Sequence, residues 1–146
     1  MARIKYKNAD LDTMLMSKAE GDKWKRKGRE EEIMAGRYLE SIGWNVLARN
    51  FRSRRGEIDI VATRDNILSF IEVKSANQIT ERDLEHVIGA KKRNSIIETS
   101  KLFLVINRKY KQYRIRYDVM LIQENACLRH IEGAFSEDGD EAKKGF

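Results

Sequence analysis

The stretch GEIDIVATRDNILSFIEVK, residues 56–74, decides how the rest of the chain is read. It holds two apolar runs, GEIDIVA (56–62) and ILSFIEVK (67–74), separated by Arg64-Asp65-Asn66. β-Branched and aromatic residues fill both runs, and Asp-Asn is turn chemistry, so the stretch predicts an antiparallel hairpin. Charges break into the runs at Glu57, Asp59, Glu72 and Lys74. Side chains two apart along a strand share a face. Glu57 and Asp59 therefore share one face of the first strand, and Glu72 and Lys74 share one face of the second. Pairing the strands brings acids and a lysine together on one side of a sheet.

The residues around these charges are Ile58, Ile60, Val61, Phe70, Ile71 and Val73, all apolar, as in core strands rather than surface strands. A carboxylate in such surroundings costs several kcal/mol unless its charge is offset. Two readings offset it. One is a Lys–carboxylate salt bridge on a solvated sheet face, the plainer account of any single pair. The other is a divalent cation, since hard cations take oxygen ligands. Asp59, Glu72 and Lys74 taken together favour the cation. The spacing Asp-x12-Glu-x-Lys gives one carboxylate on each hairpin strand and a lysine two positions after the second. Phosphodiester hydrolysis uses such a set. Two carboxylates hold Mg²⁺, which polarises a phosphoryl oxygen and acidifies a bound water. The lysine orients the attacking water or stabilises the developing charge.

Upstream, Met34, Tyr38 and Ile42 recur at i, i+4 and i+8 with Ala35 and Leu39 beside them, predicting a helix over Arg29–Ile42. Glu30, Glu31 and Glu32 would occupy its first turn, where the helix dipole favours anions, and Gly43 would cap its end. Glu32 borders the apolar stripe through Ala35, Gly36 and Leu39, so it can reach inward to the sheet edge. WNVLARN (44–50) reads as a strand. Downstream, Thr80 and Asp83 mark a helix start, with Gly89 as a kink and an end near residue 106. LFLVI (102–106) reads equally as a buried strand. YRIRYDVMLI (113–122) alternates and predicts a further strand, on which Arg116 and Asp118 share a face and can pair. The order is helix, three-stranded antiparallel meander, helix, further strand. It implies an α/β domain with a mixed sheet flanked by helices. Residues 28–135 form that domain. Residues 1–27 read as a basic N-terminal extension, a flexible arm or a short amphipathic turn around Leu11, Met14, Leu15 and Met16, and residues 136–146 as a disordered acidic tail.

With 146 residues, 36% of them charged, and a net charge of +6, the chain fits one domain and a polyanionic partner. No apolar run reaches the roughly 18 residues that span a bilayer. The chain start shows no signal-peptide core. A cytoplasmic protein without a membrane partner is expected. A lone cysteine, Cys127, excludes an internal disulfide, and with only His86 and His130 beside it a four-ligand zinc site is not expected. Cys127 itself reads as a small buried hydrophobe. Arg49, Arg52, Arg54 and Arg55 flank the GEID strand, with Asn50 among them, and Lys91, Lys92 and Arg93 lie on the second helix. Of these, Arg49, Asn50, Arg52, Arg54, Arg55, Lys92 and Arg93 are the expected nucleic-acid contacts, acting chiefly on phosphates. Tyr110 and Tyr113, within the basic run 108–113, either pack inward or stack on unpaired bases.

Several blocks resemble the YraN-type bacterial family, which is related to archaeal Holliday junction resolvases within the PD-(D/E)xK superfamily. They are Glu32-x2-Ala35-x2-Tyr38-Leu39-x3-Gly43, Arg49-Asn50-Phe51-Arg52, Gly56-Glu57-Ile58-Asp59, Phe70-Ile71-Glu72-Val73-Lys74, Arg116-Tyr117-Asp118-Val119 and His130-Ile131-x2-Ala134-Phe135, covering about residues 28–135. GEID followed by EVK at this distance is the specific part. The resemblance implies a restriction-endonuclease-like core and a Mg²⁺- or Mn²⁺-dependent endonuclease acting on DNA, branched or single-stranded. It implies Asp59 and Glu72 as metal ligands with the Val73 carbonyl as a third, Lys74 as the catalytic lysine, and Glu32 as the helix carboxylate of the site. A resolvase-like activity further implies a homodimer. Ile58 stands at the motif's proline position, and Ser75-Ala76 stands where the family usually carries a basic contact. A non-catalytic nucleic-acid-binding module on the same fold is the alternative reading.

Overall fold

A computed structural model describes residues 18–76, 88–124 and 126–137. The expected helix start at Thr80 and the apolar patch at 11–16 lie outside the described residues. The elements in chain order are α1 (Lys18–Ser41), β1 (Asn45–Arg52), β2 (Glu57–Arg64), β3 (Ile67–Ser75), α2 (Ala90–Ile106), a 3₁₀ turn (Arg108–Tyr110), β4 (Arg114–Gln123) and β5 (Ala126–Phe135). The strands form one sheet in the order β1-β2-β3-β4-β5. β1, β2 and β3 are the antiparallel meander expected from the sequence. β3 and β4 run parallel from Ile67↔Arg114 to Ser75↔Ile122, and β5 returns antiparallel to β4.

The parallel pair settles the ambiguity at 102–106. Parallel neighbours need a long crossover, usually a helix, and α2 is that crossover, running to Ile106. Phe103 is its inward residue there, edge-on to Phe51 and Phe70, while Leu102, Val105 and Ile106 are exposed. Gly89 does not kink the helix. Its backbone is extended (φ −68, ψ 162) and it is the N-cap of α2.

α1 begins eleven residues before the expected Arg29, at Lys18. Residues 18–27 are therefore helix rather than arm, and Glu30, Glu31 and Glu32 stand mid-helix, away from the dipole's positive end. α1 ends at a Schellman motif. The Trp44 amide donates to the Leu39 carbonyl (2.9 Å) and the Gly43 amide to Glu40 (3.2 Å), with Gly43 left-handed at φ +96. Trp44 thereby joins Leu39 in one core cluster, whereas Ile42, expected on the apolar stripe, is 37% exposed.

Each sheet face buries its own cluster. Ala35 and Leu39 of α1 pack on Ile60, Ala62, Ile71, Met120 and Ile122. On the other face Ile96, Ile97 and Phe103 of α2 pack on Val61, Phe70, Val119 and Leu121. Tyr110 belongs to this second cluster, stacked on Phe103, with Tyr113 edge-on to it, so these tyrosines are packing residues. Cys127 is half-buried against the α1-side cluster.

β5 was not anticipated as a strand, and a buried charge fastens it. Asp118 of β4 is fully buried. It accepts Arg116 Nε and Nη2 (2.9 Å each), His130 Nε2 (2.8 Å) and the Gly133 amide (2.9 Å). Two of those partners lie on β5. Burial would raise the Asp118 pKa, but the bonds from His130, Arg116 and Gly133 outweigh it and hold the carboxyl below its usual range. The expected Arg116–Asp118 pairing is thus part of a larger network, with the Arg116 guanidinium also over the Trp44 ring.

Candidate metal and phosphate site

β2 and β3 part company where their charges lie. Ile60↔Ile71 ends their paired register. Two residues further along β3, the Val73 amide donates to Asp59 Oδ2 at 2.8 Å, a side chain replacing a strand partner. A strand residue's N–H and C=O leave the chain on the same side, so the Val73 carbonyl faces the same gap.

Glu72 is 7% exposed. Its Oε1 meets Lys92 Nζ of α2 at 3.5 Å, and its Oε2 is buried without a hydrogen-bond partner. Burial first, then the Asp59 carboxylate, push the Glu72 pKa up to about 8, against the opposing charges of Lys92 and Lys74. Burial likewise raises Asp59, against the Val73 amide bond, a hydrogen bond with the Glu72 carboxyl and the charge of Lys92. The two carboxyls are thus held together in a place that disfavours their full ionisation. Lys74 is half-buried at the end of β3, near enough for its charge to act on Glu72.

Glu32 approaches from α1. Burial and the Asp59 charge raise its pKa to about 7, while a hydrogen bond from Asn50 and the Arg49 charge oppose the rise. Asn50 sits in the left-handed region at φ 52, between the paired positions Arg49↔Ile60 and Phe51↔Ile58, so it lies opposite Asp59. Asparagine tolerates that conformation better than most side chains. Glu32, Asp59, Glu72 and Lys74, which the sequence could place only on separate elements, are thereby gathered at one end of the β2–β3 pair.

Residues 31–122 match the family model described as Uncharacterised protein family UPF0102. The chain belongs to that family. It is the YraN-type family indicated by the GEID and EVK blocks, related to the restriction-endonuclease-like superfamily. A UPF0102 protein of Sulfurihydrogenibium sp. is 40% identical over 111 residues, 76% of this chain and 95% of that protein. One from Treponema denticola is 36% identical over 123 residues, 75% and 95% of the two chains. One from Rhodopseudomonas palustris is 34% identical over 110 residues, 75% and 83%. The stretch that this UPF0102 chain shares with the family model contains every residue of the acidic cluster and stops short of β5. No described helix is long and apolar enough to cross a membrane.

Most of the expected nucleic-acid contacts are engaged within this UPF0102 domain. Arg49 lies across α1, donating to the Glu32 carbonyl (3.2 Å) and pairing with Glu40 (3.8 Å), and a side chain at Gly36 would collide with its guanidinium. Asn50 serves Glu32. Arg52 pairs with Glu57 at 3.4 Å, and Arg93 donates to the Ile88 carbonyl at 2.9 Å. Arg54 and Arg55 are exposed and have no ion-pair partner among the described residues. Their turn is pinned to α2. Ser95 Oγ donates to the Arg55 carbonyl (2.5 Å), Ser53 Oγ meets Thr99 Oγ1 (2.8 Å), and a side chain at Gly56 would strike Ser95.

Sequence reading took Lys92 as a phosphate contact and did not anticipate its pairing with Glu72. A signal existed. Lys92, Ile96, Thr99 and Phe103 fall at i, i+4, i+7 and i+11, and the last three are buried, so Lys92 continues the inward stripe of α2.

Among the described residues no group of three or more His, Cys, Asp or Glu side chains is arranged to hold a metal ion. A divalent cation here would be held by the Asp59 and Glu72 carboxylates and the Val73 carbonyl. That suits Mg²⁺, which binds through one or two carboxylates and keeps several waters. The orphaned Glu72 Oε2 fits such a ligand.

Proposed function

We propose that this protein is a divalent-metal-dependent nuclease that hydrolyses phosphodiester bonds in DNA. The single observation that carries the proposal is Glu72. Its carboxyl is buried within hydrogen-bond reach of a second, half-buried carboxyl, Asp59, and no protein donor meets its Oε2 among the described residues. Two carboxyls this close in a largely buried place cannot both ionise cheaply unless a cation joins them, and in its absence the pair retains a proton. Asp59, Glu72 and the Val73 carbonyl would hold Mg²⁺ or Mn²⁺. Such a cation supplies Lewis-acid polarisation of the phosphoryl group and a more acidic bound water. The chain's own groups do the rest. Lys74, two residues beyond Glu72, aligns the attacking water and meets the charge that develops on phosphorus-bound oxygen. Glu32, with a pKa of about 7, exchanges a proton near neutrality and serves as acceptor beside Asp59. Arg54 and Arg55, exposed on their pinned turn, contact backbone phosphates without reading bases.

The test is cleavage of a labelled DNA panel (duplex, single strand, flap, four-way junction) under Mg²⁺ or Mn²⁺ titration, wild type against Asp59→Ala. Metal-dependent cutting that the substitution lowers by about 10³-fold or more is expected, because it removes a ligand and the cation's contribution with it. Salt-sensitive DNA binding without cutting, unchanged in Asp59→Ala, would replace the nuclease by a binding module.

A further inference from the structure

The Lys92–Glu72 contact is an unusual ion pair. A strong charge-assisted bond closes to about 2.7–2.9 Å; this one stays at 3.5 Å. One partner is 8% exposed and the other 43%. The ammonium therefore reaches in from solvent, touches one carboxylate oxygen, and leaves the other without a donor. It has the position and the sign of a cation bound to Glu72, but not the coordination. The burial stripe of α2 aims it there, and Arg93, anchored to the Ile88 carbonyl, fixes the start of the helix.

From this geometry we infer that Lys92 is the site's resident counter-ion. In the metal-free protein its ammonium faces the Asp59–Glu72 pair, and on metal binding it is expelled to become a phosphate contact. The inference rests on the metal-dependent reading above. A divalent cation on Asp59 and Glu72 makes a neighbouring ammonium repulsive rather than attractive. Lys92 can leave at little cost, because nearly half of its side chain is already in water. Ser95, three residues on and so one helical turn away, holds the turn that exposes Arg54 and Arg55. A swung-out Lys92 joins these arginines on one cationic track for phosphates. The protein then gains a phosphate ligand only when the metal is loaded, which couples substrate grip to a competent site.

Calorimetric titration of Mn²⁺ into the metal-free full chain tests this, with wild type, Lys92→Met and Lys91→Met compared. If Lys92 competes with the metal, Lys92→Met binds Mn²⁺ about three- to tenfold tighter, since a like charge a few ångströms away is removed. Lys91→Met, with the same change in net charge one residue away, leaves the affinity within about twofold of wild type. A second readout is fluorescence anisotropy of a labelled oligodeoxynucleotide with and without Ca²⁺. The metal-induced gain in DNA affinity seen for wild type shrinks severalfold in Lys92→Met. Equal Mn²⁺ affinity in wild type and Lys92→Met overturns the inference, as does weaker binding by the variant or an equal gain from Lys91→Met. If no variant binds Mn²⁺ at all, the metal-dependent function falls with it; wild-type binding unaffected by Lys92→Met removes this inference alone.

Discussion

Two buried carboxylate centres share one sheet and are built to opposite ends. On β4, Asp118 is fully buried and fully served, by four hydrogen bonds from Arg116, His130 and Gly133. Its pKa is held below the usual range. On β2 and β3, Asp59 and Glu72 receive one amide and one distant ammonium, share a hydrogen bond between their carboxyls, and their pKa values rise. The first centre is complete in the protein alone and joins β5 to β4. The second is left with fewer donors, and under the proposed function that gap is where the divalent cation would sit.

The same chemical change at both centres breaks or sharpens this contrast. Asp118→Asn removes the buried charge that Arg116 and His130 converge on, leaving Arg116, among the described residues, only its ion pair with the exposed Glu132, so a loss of about 3–5 kcal/mol is expected in denaturant unfolding. A loss under about 1 kcal/mol, the worth of an exposed pair, would mean that Asp118 is no keystone. Glu72→Gln is expected to move the stability of the chelator-treated protein by no more than about 1 kcal/mol, since Lys92, its ion-pair partner among the described residues, is nearly half exposed. The same substitution is expected to abolish Mn²⁺ binding in calorimetry. Strong destabilisation with metal binding intact would reverse the roles of the two centres.

The smallest effect is in pH. Folded Glu72 keeps its proton to about 8 and folded Glu32 to about 7, while both release it near 4.5 once unfolded. Between those limits the folded state binds more protons, so the metal-free protein loses stability as pH rises through this window. Asp118 acts the other way. Its depressed value gives stability that is present above about 3.8 and lost as pH falls through its folded value. Urea midpoints in chelator are thus expected to peak on the acid side of neutrality. Saturating Mn²⁺ is expected to flatten the decline toward pH 8, because ligation stabilises the ionised carboxyls. A flat or rising profile from 5 to 8 without metal would show that Asp59 and Glu72 are as well served as Asp118.

Sequence alone determined much of this. Alternation and turn chemistry within nineteen residues specified the β2–β3 hairpin and the strand faces bearing Asp59, Glu72 and Lys74, because strand periodicity and a tight turn are local properties. The apolar stripe of α1 and its Gly43 cap were equally legible, and the GEID and EVK blocks indicated the family. Tertiary structure decided the rest. The extent of α1 back to Lys18, the role of Gly89 as an N-cap and the existence of β5 depend on what each segment packs against. So do the fates of the basic residues. Arg49 and Lys92 look alike in sequence, yet one is laid across α1 and the other reaches Glu72, twenty residues away in the chain. Which cation meets which carboxylate is set by how two helices cross a sheet, and no local pattern encodes that distance.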